Sequence, residues 1–284
     1  MQDENPLTFS LSVVYFDSDS EELRALISSI GTAIERLRSS SALSRVALYL
    51  IDNSVEQRLA LNQFSEFATL LDARNIELRL IQGHGNIGYG AGHNLVVNKL
   101  DTEFHLLLNP DIELEQDALL AGISYLQNNQ KVVLASPYAE YAAGEKQFLC
   151  KRYPCLFTFM VRGFLPNSVK GLFAKRLARY EMHDLGEDEP SASIPRVSGC
   201  SMLCRTAASK AVSGFDEGYF LYFEDFDLSL RIAKVGELAY VPAMRIKHAG
   251  GHAARKGRAH IGMFVRSAMR FFNTHGWRFF HQTG

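Results

Sequence analysis

Between residues 8 and 136 the chain alternates short β-branched or leucine-rich runs with helix-patterned segments, and this rhythm restricts the fold more than any other feature of the sequence. The runs are "TFSLSVVYF" (8–16), "RVALYLID" (45–52), "IELRLI" (76–81), "FHLLLN" (104–109) and "KVVLAS" (131–136). Between them lie "SEELRALISSIGTAIERLRSS" and "EQDALLAGISYLQNN", whose apolar spacing is helical. Such alternation predicts right-handed βαβ units, hence an α/β fold with a mainly parallel sheet flanked by helices. Ligands of these sheets bind beyond the carboxyl ends of the strands. That rule selects Tyr15, Phe16 and Asp17, then Asp52 and Asn53, the glycine-rich stretch "GHGNIGYGAGHN" (83–94), and Asn109, Pro110 and Asp111. Each alone is ordinary turn chemistry; together they face one crevice.

Beyond residue 140 the pattern changes. Residues 146–180 hold eight Lys or Arg and no acid, residues 238–284 again hold eight and none, and the remaining 202 residues carry 31 acids against 14 bases. This segregation hides behind a net charge of −1 and suggests that the basic segments meet something anionic. Nucleic acid is disfavoured, because no base-reading module accompanies the charge. The basic segments are also rich in Phe, Met and Trp, a composition that suits the face of a membrane. Internal packing accounts for the same residues equally well. The first ten residues lack a basic n-region and no stretch is apolar enough to span a bilayer, so the expectation is a cytoplasmic protein without a signal peptide. Cys150, Cys155, Cys200 and Cys204 lack the usual zinc spacing and read as free thiols. With no linker in view, residues 1–284 read as one domain.

Gly83, Gly85 and Gly88 fit G-x-G-x-x-G after a strand, the fingerprint of a dinucleotide site, and Asp111 lies 23 residues further on. Against that reading, Gly90 and Gly92 would weaken the first turn of the pyrophosphate-binding helix, and the loop follows the third strand rather than the first. An NAD-dependent oxidoreductase is therefore the lesser alternative.

The order "SVVYFDSD", "LIDNS", "GNIGYGAGHN", "LLLNPDIEL", "VSGCSMLCR", "GFDEGYFLYFEDFDLSLR" and "AYVPAMRIKHAGG" resembles the family 2 glycosyltransferases of GT-A fold, in particular bacterial rhamnosyltransferases, over roughly residues 8–252. "KRYPCLFTFMVRGF" adds a weaker similarity to those that build lipopolysaccharide core. The resemblance implies a nucleotide-sugar-binding half (about 8–140), an acceptor and catalytic half (about 141–252) and a basic-aromatic helical tail (253–284). It implies a donor such as dTDP-L-rhamnose, a glycan or glycolipid acceptor, and a divalent cation, Mg²⁺ or Mn²⁺, to neutralise the leaving diphosphate. Asp111 of "NPD" falls at the metal-binding acid, with His248 as a further ligand or diphosphate contact. Asn109 stands where many relatives have the first Asp of D-x-D, which implies ribose or sugar contact and a weaker hold on the metal. Asp52 falls at the base-recognising position, Tyr15 and Phe16 at the base-packing one, and Asn86, Gly88 and Asn94 in the donor loop. In "YFEDFD" the resemblance makes Asp225 the catalytic base and Glu224 its positioning partner, while Asp227 reads as a helix N-terminal charge. A catalytically silent carbohydrate-binding relative would keep the fold and lose the base or the metal acid; this chain has both.

Overall fold

The computed structural model describes residues 6–56, 59–164, 170–249 and 258–279, with only the backbone for 162–164, 258 and 259. Strands β1 (Leu7–Tyr15), β2 (Leu43–Asp52), β3 (Glu77–Gln82) and β4 (Phe104–Leu108) pair in parallel, in the spatial order β3-β2-β1-β4. This is the predicted βαβ half. Helix α1 (Ser20–Ser40) starts at Asp19, whose carboxylate accepts from Glu21 N at 2.7 Å, and buries Leu23, Leu26, Ile27, Ile30, Ile34 and Leu37. Those side chains meet Phe9, Leu11 and Val13 of β1 in the main core. At roughly 1.5–3 kcal/mol per fully buried aliphatic side chain, this face alone commits the half to its layer arrangement.

The opposite face of β1 is polar, because Ser10 and Ser12 alternate with the core residues. A buried chain satisfies them: Thr102 to Ser10, Ser10 to His105, His105 to Ser12 and Ser12 to His93, all at 2.7–2.8 Å. Burial holds both imidazoles neutral, His105 lowered to about 3 and His93 also well below its ordinary value.

The second half mixes directions. Strand β8 (Ser201–Arg205) runs antiparallel to β4 and to β6 (Val132–Glu140), β6 pairs in parallel with β9 (Glu237–His248), and the short β5 (Ile112–Leu114) runs antiparallel to β9. The two-residue β7 (Lys146–Gln147) pairs with the end of β6. Strand β8 forms within the "VSGCSMLCR" stretch, whereas β5, β7 and β9 fall outside the strand runs read from the sequence. Helices in this half are α5 (Leu156–Phe164), α6 (Ala174–Tyr180), α7 (Thr206–Ala211), α8 (Glu224–Ile232) and α9 (Arg258–His275), following α2 (Leu61–Asp72), α3 (Tyr89–Val97) and α4 (Ala118–Asn128). Part of the tail, residues 250–257 and 280–284, lies outside the described residues.

Candidate active site

Asp111 stands between β4 and β5, and His248 ends β9 directly opposite, where Ile112 and His248 are register partners and Ala249 N donates to Asp111 O at 3.0 Å. His248 Nε2 lies 3.4 Å from Asp111 Oδ2. Gln147 fixes the ring: its Nε2 donates to His248 O at 2.7 Å, which leaves its Oε1 to accept from His248 Nδ1 at 2.7 Å. In the neutral ring Nε2 is then the basic nitrogen, and its lone pair faces a carboxylate. An imidazole nitrogen facing a carboxylate oxygen supplies two donors of the kind that bind a metal ion. Among the described residues no three His, Cys, Asp or Glu side chains form a metal cage. Two protein ligands plus phosphate oxygens of a substrate is the pattern Mg²⁺ commonly adopts, so these residues fit such an ion.

Glu224 and Asp225 open α8 after a turn in which Tyr222 (φ 70°) and Phe223 (φ 66°) both sit in the left-handed region, a strained state for bulky side chains. The strain is held from outside the helix. Asp225 Oδ2 accepts from Gly199 N and Oδ1 from Phe226 N, both at 2.8 Å, while Ser229 Oγ donates to Asp225 O at 2.8 Å and accepts from Val197 N at 3.2 Å. A Cβ on Gly199 would lie 3.1 Å from Asp225 Cβ, so this approach suits glycine. Burial raises both acids. Glu224 rises to about 8, with Asp225's charge adding to burial, whereas in Asp225 the backbone N–H groups and Arg196 oppose the rise. Both neighbouring carboxyls are thus raised, and only in Asp225 does an Arg charge join amide hydrogen bonds in working against burial. Asp227, by contrast, is buried in an ion-pair network with Arg231 and His275, each at 2.7 Å.

The two acidic centres converge. Tyr89, at the start of α3, feels the charges of Asp111, Glu224 and Asp225, and Cys200 those of Asp111 and Asp225. Tyr89 OH donates to Gly199 O, and Gly88 (φ 93°) comes so close to the acidic loop that a Cβ there would stand 2.4 Å from Phe220 O. The glycine therefore serves a close approach of protein backbones. Asn86 Oδ1 caps Gly88 N at 3.1 Å, and Asn53, itself bonded to His84, donates to Gly88 O at 3.0 Å.

Asp52 and Asn94 are both engaged in hydrogen bonds within the protein. Asp52 is fully buried and its oxygens accept from Ser54 N (2.9 Å) and Leu59 N (2.8 Å), which shapes its own loop. Asn94 bonds both backbone polar groups of Phe215 at 2.8 and 2.9 Å and the Glu217 side chain at 3.0 Å, which straps α3 to the acidic loop. Tyr15 is buried at the end of β1, while Phe16 and Asp17 are exposed at the crevice, Asp17 with φ 43° and its N–H on Ser54 Oγ at 3.0 Å. Asn109 is partly exposed, its N–H donating to Cys200 O at 2.9 Å. Tyr89, Gly199, Gln147 and Arg196 escaped the sequence reading. Only Gly199 carried a signal, as the glycine of "VSGCSM".

Three of the eight basic side chains of residues 146–180 form ion pairs within the chain. Lys146 pairs with Glu187, Lys151 with Glu181 and Arg152 with Asp184, all from the acidic stretch that follows α6. Part of the expected demand for an external anion is thereby met internally. All four cysteines are free and buried.

Fold and site define a protein of GT-A architecture, the glycosyltransferase fold. No protein-family model matches the chain. It is similar to the rhamnosyltransferase WbbL of Escherichia coli (28% identical over 180 residues, 60% of this chain and 64% of that one). It is also similar to the N-acetylglucosaminyl-diphospho-decaprenol L-rhamnosyltransferase of Mycobacterium tuberculosis (26% over 208 residues, 68% and 66%). The chain thus spans slightly less than two thirds of these relatives. Among solved structures it matches GalNAc-T7 with UDP, GalNAc and Mn²⁺ (TM-score 0.61, 17% identity, 87% of this chain and 44% of that one). It also matches S. aureus TarS 1-349 in complex with UDP (0.54, 13%, 94% and 66%). The chain is a GT-A protein that resembles rhamnosyltransferases.

Proposed function

We propose that the protein is an inverting, metal-assisted glycosyltransferase that moves L-rhamnose from dTDP-L-rhamnose onto a bacterial surface glycan such as lipopolysaccharide core or O-antigen. The observation that carries this reading is that the segment Gly199–Cys200 joins the two acidic loops: Gly199 N donates to Asp225 Oδ2 at 2.8 Å and Cys200 O accepts from Asn109 N, two residues before Asp111, at 2.9 Å. Asp111 and His248 would hold a Mg²⁺ or Mn²⁺ ion, whose role when bound is to stabilise charge on the departing diphosphate. Asp225, aimed by the Gly199 and Phe226 amides, takes the proton of the attacking acceptor hydroxyl. A base on the side opposite the leaving group gives direct displacement and inversion. Phe16, exposed after β1, and Tyr15, buried behind it, would pack on the nucleotide base, with Asn109 and Asp17 as further donor contacts. The sugar assignment rests on the resemblance to rhamnosyltransferases.

The reading includes a cytoplasmic enzyme resting on the inner face of the membrane. Among the described residues no helix is long and apolar enough to cross a membrane. Support comes from exposed Met160, Leu172, Ile261, Val265, Met269 and Phe279 in the same segments as exposed Lys175 and Arg266. Flotation with anionic liposomes at low salt, reversed by high salt, is the expected result.

A panel of sugar nucleotides, scored for hydrolysis and for protection against thermal unfolding, tests the main assignment. dTDP-L-rhamnose should give the largest effect on both. Protection by NAD(H) and by no sugar nucleotide would reject the glycosyltransferase reading.

A further inference from the structure

Arg196 is fully buried, yet its guanidinium is almost unused as a hydrogen-bond donor. Among the described residues its Nε and Nη1 have no partner, and Nη2 reaches only Lys151 O, at 3.5 Å. Arg205, which braces the fold, is the contrast: its Nε donates to Val132 O at 3.0 Å and its Nη2 to Leu126 O at 2.5 Å. A buried charge with idle donors is unfavourable, so bracing does not account for Arg196. Its neighbours are aromatic. Arg196 Cζ lies 4.8 Å from the centre of the Tyr153 ring and 5.4 Å from that of Phe226. Tyr153 is held by the C-terminal segment, its OH 2.9 Å from Gly276 O and its ring 4.0 Å from Arg278 Cζ. Phe226 follows Asp225, and both line a cavity of about 180 Å³ with Phe159, Tyr180 and Phe264, so Arg196 stands behind the wall that carries the acid. Three residues on from Arg196, Gly199 N donates to Asp225 Oδ2 at 2.8 Å, and Val197 is tied to Ser229 Oγ, which bonds Asp225 O. Residues 196–199 thus bring a cation and an amide to one carboxylate.

We propose that Arg196 is a positioning residue of the transfer reaction: its buried charge holds Asp225 as the carboxylate that accepts the proton of the attacking hydroxyl. This role rests on the glycosyltransferase reading and deepens it. Burial alone drives Asp225 toward the neutral acid, which cannot act as a base; the two amides aim the carboxylate, and the cation opposes its neutralisation. Rings on both sides of the sequence segment keep water from screening the charge, so it acts without a direct ion pair. The groups that face Asp225 are Glu224 beside it, Tyr89 of α3, Cys200 and Arg196; those that face Arg196 are Tyr153, Tyr180 and Arg278. Burial raises Glu224, Tyr89 and Cys200, and all three are neutral at pH 7, whereas Arg196, lowered by burial to about 9, is charged there.

The test uses the full chain, isotope-labelled at the aspartate carboxyl carbons and followed by NMR against pH. Asp225→Asn assigns the Asp225 signal, and repeating the titration with Glu224→Gln removes the step of its neighbour. Hydrolysis and binding of the sugar-nucleotide panel and the melting temperature are read on the same samples. Arg196→Met keeps the length and apolar stem and removes the charge; Arg196→Gln is the second neutral variant should the first not fold. In the folded variant the Asp225 titration and the acid limb of kcat/KM should both move to higher pH by about one unit, so that hydrolysis on that limb falls about tenfold. Sugar-nucleotide affinity should be kept and the melting temperature equal or higher, because a buried charge without partners is gone. A purely structural arginine would lower the melting temperature and leave the titration in place. An unmoved Asp225 titration in a folded neutral variant overturns the role of Arg196 and leaves the enzyme assignment standing wherever wild type hydrolyses a sugar nucleotide. A displaced titration in a chain that neither binds nor hydrolyses any sugar nucleotide keeps the Arg196–Asp225 pairing and overturns the enzyme assignment.

Discussion

The two halves of the molecule solve the burial of polar chemistry in opposite ways. In the βαβ half a polar face of β1 is sealed by a chain of uncharged hydrogen bonds through His105 and His93, with every member of the chain close in space because its strands are neighbours. In the second half two carboxyls are walled by aromatic rings from four helices, and one of their oxygens is left without a partner. His93 Nε2 and Glu224 Oε2 each lack a partner, so the difference lies in the groups buried: neutral hydrogen-bonded side chains in the first half, acids in the second.

The contrast can be broken most severely at the metal pair. Asp111→Ala should abolish most transfer, and EDTA should inhibit wild type reversibly; full activity in EDTA would remove the ion from the mechanism. Next comes Asp225→Asn, which keeps size and loses the basic oxygen. Turnover should fall about 10²-fold or more with donor affinity intact, and near wild-type transfer would move the role to Glu224. A matched pair then separates scaffold from site. Phe67→Ala in α2 and Phe271→Ala in α9 remove equally buried rings, so each should lose about 3–5 kcal/mol in urea denaturation. Only Phe271→Ala, whose ring packs 5.3 Å from Phe223, should also raise the KM for acceptor.

Stability against pH distinguishes the halves again. Folded His105 binds its proton near 3 and the unfolded chain near 6.5, so the unfolded state takes up protons first and stability falls as pH drops from about 6.5 toward 3. Glu224 does the reverse: the folded state keeps the proton up to about 8, so stability falls as pH rises from the ordinary carboxylate range to that value. His105→Gln should flatten the acid limb and Glu224→Gln the alkaline one, both read from melting temperature against pH. The smallest effect belongs to the ion pairs of the basic segment. Lys146→Ala should change stability by about 1 kcal/mol or less, because its partner Glu187 is half exposed.

What the sequence by itself determined is the part written in one-dimensional periodicity. Apolar spacing placed β1, β2, β3, β4, β6, α1 and α4, and the rule that α/β ligands gather at strand ends brought Phe16, Asp17, Asn109 and Asp111 to one crevice. Tertiary structure decided the rest. Asp52 and Asn94 have the chemistry of ligand contacts, yet the amides of Ser54 and Leu59 and the backbone of Phe215 use them as internal braces, and no pattern in the chain announces a partner 121 residues away. The aromatic cavity is likewise invisible in sequence, since Phe159, Tyr180, Phe223 and Phe264 look like any core residues until helices from four segments leave a gap among them. Periodicity reports which face of an element is apolar. Which faces meet, how closely, and which polar atom is left over depends on packing between distant segments, and that is where the chemistry of Glu224 and Asp225 is set.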